Sequence, residues 1–157
     1  MSIEIKDYHI EIEVMAEPAK VMEAIEKVSE WWGKDFTGQS KNVGDIFTIR
    51  FNETYSTFRI TEKLENKKLV WAVLDSHLHW LKDKTEWNHT YVEWTLEKME
   101  ETTRVQMIHF GLGPEVECFD NCTKGWNYYI GESLNKLINE GKGMPDTPQT
   151  IRIRESL

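Results

Sequence analysis

Apolar and charged side chains alternate at the start of the chain, and this pattern predicts a half-buried β-strand. One face of the strand carries Tyr8, Ile10, Ile12 and Val14. Pro18 then suits the first turn of a helix, and apolar residues at helical spacing predict a short amphipathic helix over residues 18–29. Trp31-Trp32-Gly33 ends this helix, and we expect at least one of the two indoles to pack under a sheet.

Short alternating segments separated by turns follow between residues 44 and 110. They lie at residues 44–52, 55–64, 69–74, 89–96 and 104–109. Five consecutive short strands with tight links predict an antiparallel meander.

A long amphipathic helix is predicted over about residues 115–141, after Gly111-Leu112-Gly113-Pro114 interrupts the sheet. Its inward stripe consists of Cys118, Cys122, Trp126, Tyr129, Ile130, Leu134, Leu137 and Ile138. At 1.5 Å per residue this helix is about 40 Å long, enough to cross a strongly curved sheet. The order of elements predicts an α+β fold, with one domain over residues 1–145 and a polar C-terminal tail over residues 146–157.

Length and charge narrow the classes of function. The 157 residues match the size of one globular domain, and 27 acidic against 19 basic residues give a net charge of −8. This balance argues against nucleic acid or an anionic membrane as partner, because both need a basic face. No apolar run approaches the about 20 residues of a spanning helix, and the charged N-terminal segment is unlike a signal peptide. Two cysteines are too few for a disulfide framework, so we expect a cytoplasmic protein.

The predicted C-terminal helix carries a distinctive pattern. It reads Cys122-Thr123-Lys124-Gly125-Trp126-Asn127-Tyr128-Tyr129-Ile130 and ends before Gly141-Lys142-Gly143-Met144-Pro145. Together with residues 80–87, 90–94 and 105–111, it resembles the SRPBCC superfamily, in the bacterial single-domain type related to the activator of heat-shock protein 90 ATPase. The resemblance covers about residues 5–145.

This resemblance implies a START-like helix-grip fold, in which a curved antiparallel sheet wraps around a long C-terminal helix. Relatives with this fold bind lipids, sterols or other apolar molecules, and some are cyclases or hydratases. The eukaryotic activator has an additional N-terminal domain that docks on the chaperone. Because the chain has no room for that domain, we do not extend the co-chaperone role to it.

A gap between the curved sheet and the helix would form a ligand cavity of roughly 300–1,000 Å³. Strand parity and the helical stripe predict its lining as Phe47, Phe51, Trp71, Trp94, Met107, His109, Cys118, Cys122, Trp126 and Tyr129. The strand parity of Trp71 is ambiguous. The alternative is that these side chains fill the core and leave no cavity.

His109 occupies an inward position, where an unpaired imidazole is costly. It therefore either forms hydrogen bonds within the protein or offers a polar contact to a ligand. No Asp or Glu shares its inward register, so a partner that would orient it for general-base catalysis is not visible. We assign no catalytic residue.

Two other groups raise the question of metal or redox chemistry. His77 and His79 share a strand face near His89, but the charged residues around them indicate surface histidines, so we expect neither metal nor cofactor. Cys118 and Cys122 are one helical turn apart, with Cβ atoms expected about 5–6 Å apart, too far for an undistorted disulfide. We interpret them as buried thiols, with a redox switch or a zinc site as the alternative.

These observations favour non-enzymatic binding of a small hydrophobic or amphipathic molecule between the sheet and the C-terminal helix. One alternative is a cyclase- or hydratase-type enzyme that uses His109 and Tyr129 in the same pocket. Another is a stress-related protein-interaction module that works through the charged loop between Trp80 and Trp87. The sequence therefore allows a protein partner or a homodimer in addition to a small apolar ligand.

Overall fold

The structure is a computed structural model and describes residues 6–146 of the chain. The strands are β1 (His9–Val14), β2 (Phe36–Gly38), β3 (Ile46–Phe51), β4 (Thr54–Leu64), β5 (Lys68–His77), β6 (Tyr91–Lys98) and β7 (Thr103–Phe110). The helices are α1 (Pro18–Glu26), α2 (Val28–Trp31), α3 (Phe119–Tyr128), a π-helical segment (Tyr129–Leu134) and α4 (Asn135–Glu140). No helix within the described residues is long and apolar enough to cross a membrane.

The seven strands form one curved antiparallel sheet in the order β1-β7-β6-β5-β4-β3-β2. The predicted meander corresponds to β3–β7, and β1 adds to its far edge beside β7. Two register shifts in the pairing of β4 with β5 mark irregularities of the kind that bend a strand. The predicted α+β helix-grip architecture is therefore confirmed.

Strand parity decides which side chains enter the core. Val92, Trp94 and Leu96 on β6 are buried, as are Val105, Met107 and His109 on β7. On β5 the buried face carries Trp71, which resolves its ambiguous parity. Aromatic rings fill the centre of the sheet's inner face, where Trp71 contacts both Phe47 and Trp94 with ring centroids 5.1 and 5.4 Å apart.

The C-terminal helix departs from the predicted continuous α-helix in two ways. It begins at Phe119 rather than near residue 115, and its middle is π-helical. Its buried stripe is Cys122, Trp126, Ile130, Leu134 and Ile138, one residue in every four. In an α-helix with 3.6 residues per turn, each step of four turns the stripe by about 40°. The wider π-helical turn counteracts this rotation and keeps the stripe on the core.

The N-terminal helix also differs from its prediction. The expected helix over residues 18–29 is divided at Lys27 into α1 and α2. This division leaves both Trp31 and Trp32 buried and stacked on each other, with ring centroids 5.8 Å apart.

The last described residue, Asp146, forms a parallel β-bridge with Gly33, which directly follows Trp32. The predicted domain limit at residue 145 stays a prediction, and residues 147–157 of the expected tail lie outside the described part.

Candidate ligand-binding cavity

A cavity of about 490 Å³ opens between the C-terminal helix, the turn that joins β3 to β4, and the loop over residues 78–90. Its lining consists of Trp32, Phe51, Thr54, Ser56, Leu78, Trp80, Trp87, Asn121, Cys122, Lys124, Gly125, Trp126, Tyr128 and Tyr129. Half of these residues are aromatic. Both the volume and the apolar character are typical of small-molecule sites.

The inner wall of the cavity is a continuous cluster of rings centred on Trp126. The ring of Trp32 lies 4.8 Å from that of Trp126, and the ring of Trp87 stacks on Trp126 at 5.9 Å with an interplanar angle of 6°. Phe51 stacks on Tyr129 at 6.1 Å. These rings pack against one another and form a rigid apolar surface.

Polar groups lie mainly at the mouth. Trp80 is 49% exposed there, and Asn121 and Lys124 on α3 are exposed as well. The hydroxyl of Tyr129 donates a hydrogen bond to the carboxylate of Asp146, which is itself buried. The mouth is therefore amphipathic, whereas the inner wall is apolar.

Two glutamates join the loop over residues 78–90 to the start of α3. Glu86 accepts hydrogen bonds from the backbone N–H groups of Glu117 (2.6 Å) and Cys118 (2.9 Å). In return, the carboxylate of Glu117 accepts from the N–H groups of Lys82 and Asp83, at 3.1 and 3.2 Å. These backbone donors lower the pKa of Glu117. The reciprocal bonds hold Trp80 and Trp87 over the helix.

His109 lies behind this wall and is fully buried. The indole N–H of Trp126 donates to its Nδ1 over 3.2 Å, so Nδ1 carries no proton and the neutral ring is protonated at Nε2. Nε2–H donates to Thr90 Oγ1 (2.9 Å), whose hydroxyl donates to the carbonyl of Trp87 (2.6 Å). Burial lowers the pKa of His109 to about 3. Both ring nitrogens are thus satisfied within the protein.

Four of the ten residues predicted to bind a ligand line the cavity: Phe51, Cys122, Trp126 and Tyr129. The other six are buried outside its lining, and they are Phe47, Trp71, Trp94, Met107, His109 and Cys118. They lie there because aromatic packing closes the centre of the sheet's inner face, and this cavity lies near the β3–β4 end. A ligand contact by any of the ten stays a prediction.

Sequence reasoning missed several lining residues that lie in the loop over residues 78–90, at strand ends or on the helix. The sequence predicts Trp80 and Trp87 only as residues that flank a charged loop. Their packing over α3 depends on the hydrogen bonds of Glu86 and Glu117. Thr54, Ser56 and Leu78 come from the ends of β4 and β5. Gly125 was part of the helix pattern, but the space above it is visible only in three dimensions.

The two cysteines correct one expectation. The structure pairs Cys118 with Cys122, with Cα atoms 5.5 Å apart, whereas the sequence favours separate buried thiols. Cys118 is the N-cap residue of α3, and its carbonyl accepts the first helical hydrogen bond from the Cys122 N–H at 2.8 Å, so the two residues lie one helical turn apart. The observed Cα separation falls within the usual disulfide range.

Thiol counting tests this pairing. Protein purified in air without reductant, unfolded and treated with iodoacetamide should take up no alkyl group, and after reduction with dithiothreitol it should take up two. The variant Cys122→Ser should take up one without reduction. Two alkylated cysteines in the unreduced wild-type protein would contradict the pairing.

The histidines considered for a metal site have other contacts. His79 Nε2 lies 2.6 Å from Glu53 Oε2, and the ring of His77 stacks on Tyr55 at 5.8 Å. Within residues 6–146, no group of three or more His, Cys, Asp or Glu side chains is arranged to hold a metal ion.

Solved structures share this architecture. The solution structure of the Aha1 dimer from Colwellia psychrerythraea aligns with a TM-score of 0.72 at 24% identity, over 88% of this chain and 100% of that chain. CalU16 from Micromonospora echinospora aligns at 0.64 and 16%, over 94% and 81%. DynU16, from the dynemicin biosynthetic locus, aligns at 0.66 and 17%, over 89% of this chain and 49% of that chain.

These similarities establish the START-like helix-grip fold, and the Aha1 structure agrees with the resemblance drawn from the sequence. In the comparisons by sequence, no family model and no curated protein matches the chain.

Proposed function

We propose that this chain, which has the START-like helix-grip fold, binds a small hydrophobic or amphipathic molecule without converting it. The observation that carries the proposal is the cavity of about 490 Å³ with aromatic residues as half of its lining. Such a cavity can bury most of a ligand of a few rings, and rigid aromatic walls lose little conformational freedom on binding.

Gly125 offers a way to fill this cavity without disturbing the core. It lies within α3, and a Cβ atom added to it would meet only Tyr129 within 4 Å, at 3.8 Å. A larger side chain at this position must therefore project into the cavity. Because glycine is a poor helix former, the replacement also favours α3 by as much as about 1 kcal/mol.

We expect Gly125→Leu to weaken binding of the neutral fluorescent probe 1-pyrenebutanol at least about ten-fold, since the isobutyl group occupies the space that the probe needs. Fluorescence anisotropy of the probe measures its Kd. The control is Gly131→Ala in the π-helical segment that follows α3, where an added Cβ would meet Ile10 at 3.7 Å outside the cavity lining. Equal affinities for the wild type and Gly125→Leu, or no binding to the wild type, would refute the proposal.

A second candidate, a protein-interaction module, is favoured by the exposure of Trp80 at the mouth of the cavity. The Colwellia structure is described as a dimer, which makes a second copy of the chain one partner to test. Native mass spectrometry of the protein from its own host separates the candidates. A retained small molecule supports the binding protein, whereas a reproducible second chain supports the interaction module.

A further inference from the structure

The charges of the cavity lining are uneven. Among the described residues that line it, Lys124 is the one with a formal charge at neutral pH, and no Asp or Glu is among them. This contrasts with the whole chain, in which acidic residues outnumber basic ones by 27 to 19. The lining thus carries one positive charge on an anionic protein, while the carboxylate of Asp146, which is not part of the lining, accepts the hydrogen bond of Tyr129.

Lys124 has no ion pair with any carboxylate of residues 6–146. Asp120 lies one turn earlier on α3 but makes no such contact with it. The two carboxylates on the loop side of α3, those of Glu86 and Glu117, already accept hydrogen bonds from backbone N–H groups. The ammonium group is therefore exposed at the cavity mouth and is held by no carboxylate of the described residues.

Asn121 places a second polar side chain beside Lys124. The two residues are three apart on α3, so their side chains are neighbours on one helix face, and both line the cavity. An ammonium group supplies three donors and a carboxamide supplies two. A carboxylate, which only accepts hydrogen bonds, complements this pair of donors.

From this placement we infer that the ligand is an amphipathic organic anion. Its ring body packs on Trp32, Trp87 and Trp126, and its carboxylate lies at the mouth against Lys124 and Asn121. This inference rests on the proposed function and adds the chemical class of the ligand. The net charge of −8 repels anions at long range, so a preference for the anion must arise locally at the mouth.

Two probes with the same body and different heads test the inference. 1-Pyrenebutanoate carries a carboxylate, and 1-pyrenebutanol carries a neutral hydroxyl group. We expect the wild-type protein to bind the carboxylate about two- to five-fold more tightly at low salt, the range for an exposed ion pair. Because salt screens exposed charges, the preference should shrink as the ionic strength rises.

Lys124→Gln should abolish the preference, measured as the ratio of the two Kd values on the same variant, and Lys124→Glu should reverse it. The matched control is Lys136→Gln, an exposed lysine on α4 outside the cavity lining, which should keep the wild-type ratio. An unchanged ratio in Lys124→Gln, or a wild-type preference for the alcohol, would overturn the inference and leave the proposed function standing. Failure of both probes to bind the wild type would overturn both.

Discussion

Lowering the pH from 7 to 4.5 should reduce the free energy of unfolding by about 2–3 kcal/mol through His109 alone. In the unfolded chain its pKa is near the ordinary value of 6.5, whereas burial lowers the pKa of His109 to about 3 in the native protein. Above pH 6.5 the ring is neutral in both states and contributes nothing. Between pH 6.5 and 3 the unfolded state binds a proton that the native state does not, so stability falls by about 1.4 kcal/mol per pH unit.

The physical reason lies in the bonds of the ring. Protonation at Nδ1 would place a donor opposite the indole N–H of Trp126, which can only donate. It would also bury a charge with no carboxylate in hydrogen-bonding contact, since the other ring partner is the hydroxyl of Thr90. The native protein therefore keeps the His109 imidazole neutral, because its neighbours cannot stabilise the protonated ring.

Urea unfolding of the wild type and of His109→Gln across pH 4 to 7.5 measures this effect. The glutamine side chain keeps a donor and an acceptor but does not titrate, so the acid-induced loss should be smaller in the variant by the amount due to His109. Other titrating groups, among them Glu117, contribute to both curves alike. Parallel curves for the two proteins would contradict the assigned protonation state.

Trp126→Ala should lower the free energy of unfolding by about 3–5 kcal/mol, a large part of the 5–15 kcal/mol of a typical domain. The substitution removes a ring that contacts both Trp32 and Trp87, and it leaves Nδ1 of His109 without its donor. Thermal or urea unfolding followed by circular dichroism measures the loss.

Two further variants separate the contributions to this effect. Trp126→Phe keeps an aromatic ring and removes the N–H donor, so it should cost about 1–3 kcal/mol, mainly from the unsatisfied imidazole nitrogen. Trp80→Ala alters an exposed ring of the same cavity and should change stability by no more than about 0.5 kcal/mol. If Trp126→Ala proved as stable as Trp80→Ala, the central position of Trp126 in the ring cluster would be refuted.

Local periodicity was enough to predict the elements that carry the cavity. Alternation on β6 and β7 identified the buried face correctly through Trp94, Met107 and His109, because strand side chains alternate without drift. The helix stripe was correct for Cys122 and Trp126. It could not reveal the π-helical segment, which depends on fitting a four-residue spacing onto a fixed core.

The position of the cavity was less accessible from sequence. Strand parity predicts which face of a strand an aromatic ring occupies. It does not predict whether rings from different elements pack against each other. Trp71 contacts both Phe47 and Trp94 and closes the centre of the sheet, whereas Phe51, two inward positions beyond Phe47 on β3, borders open space. The distinction depends on the distances between elements and not on their patterns.

What the sequence determined by itself is the order of elements, the face that each buries and an interior rich in aromatic side chains, since all three follow from the spacing of residues along the chain. The tertiary structure alone decided where the space remains, that Trp126 and Thr90 satisfy His109, and that Lys124 borders the mouth without an ion pair. These features are relations between residues far apart in the chain, and such relations exist only once the sheet, the loop over residues 78–90 and the C-terminal helix have packed together.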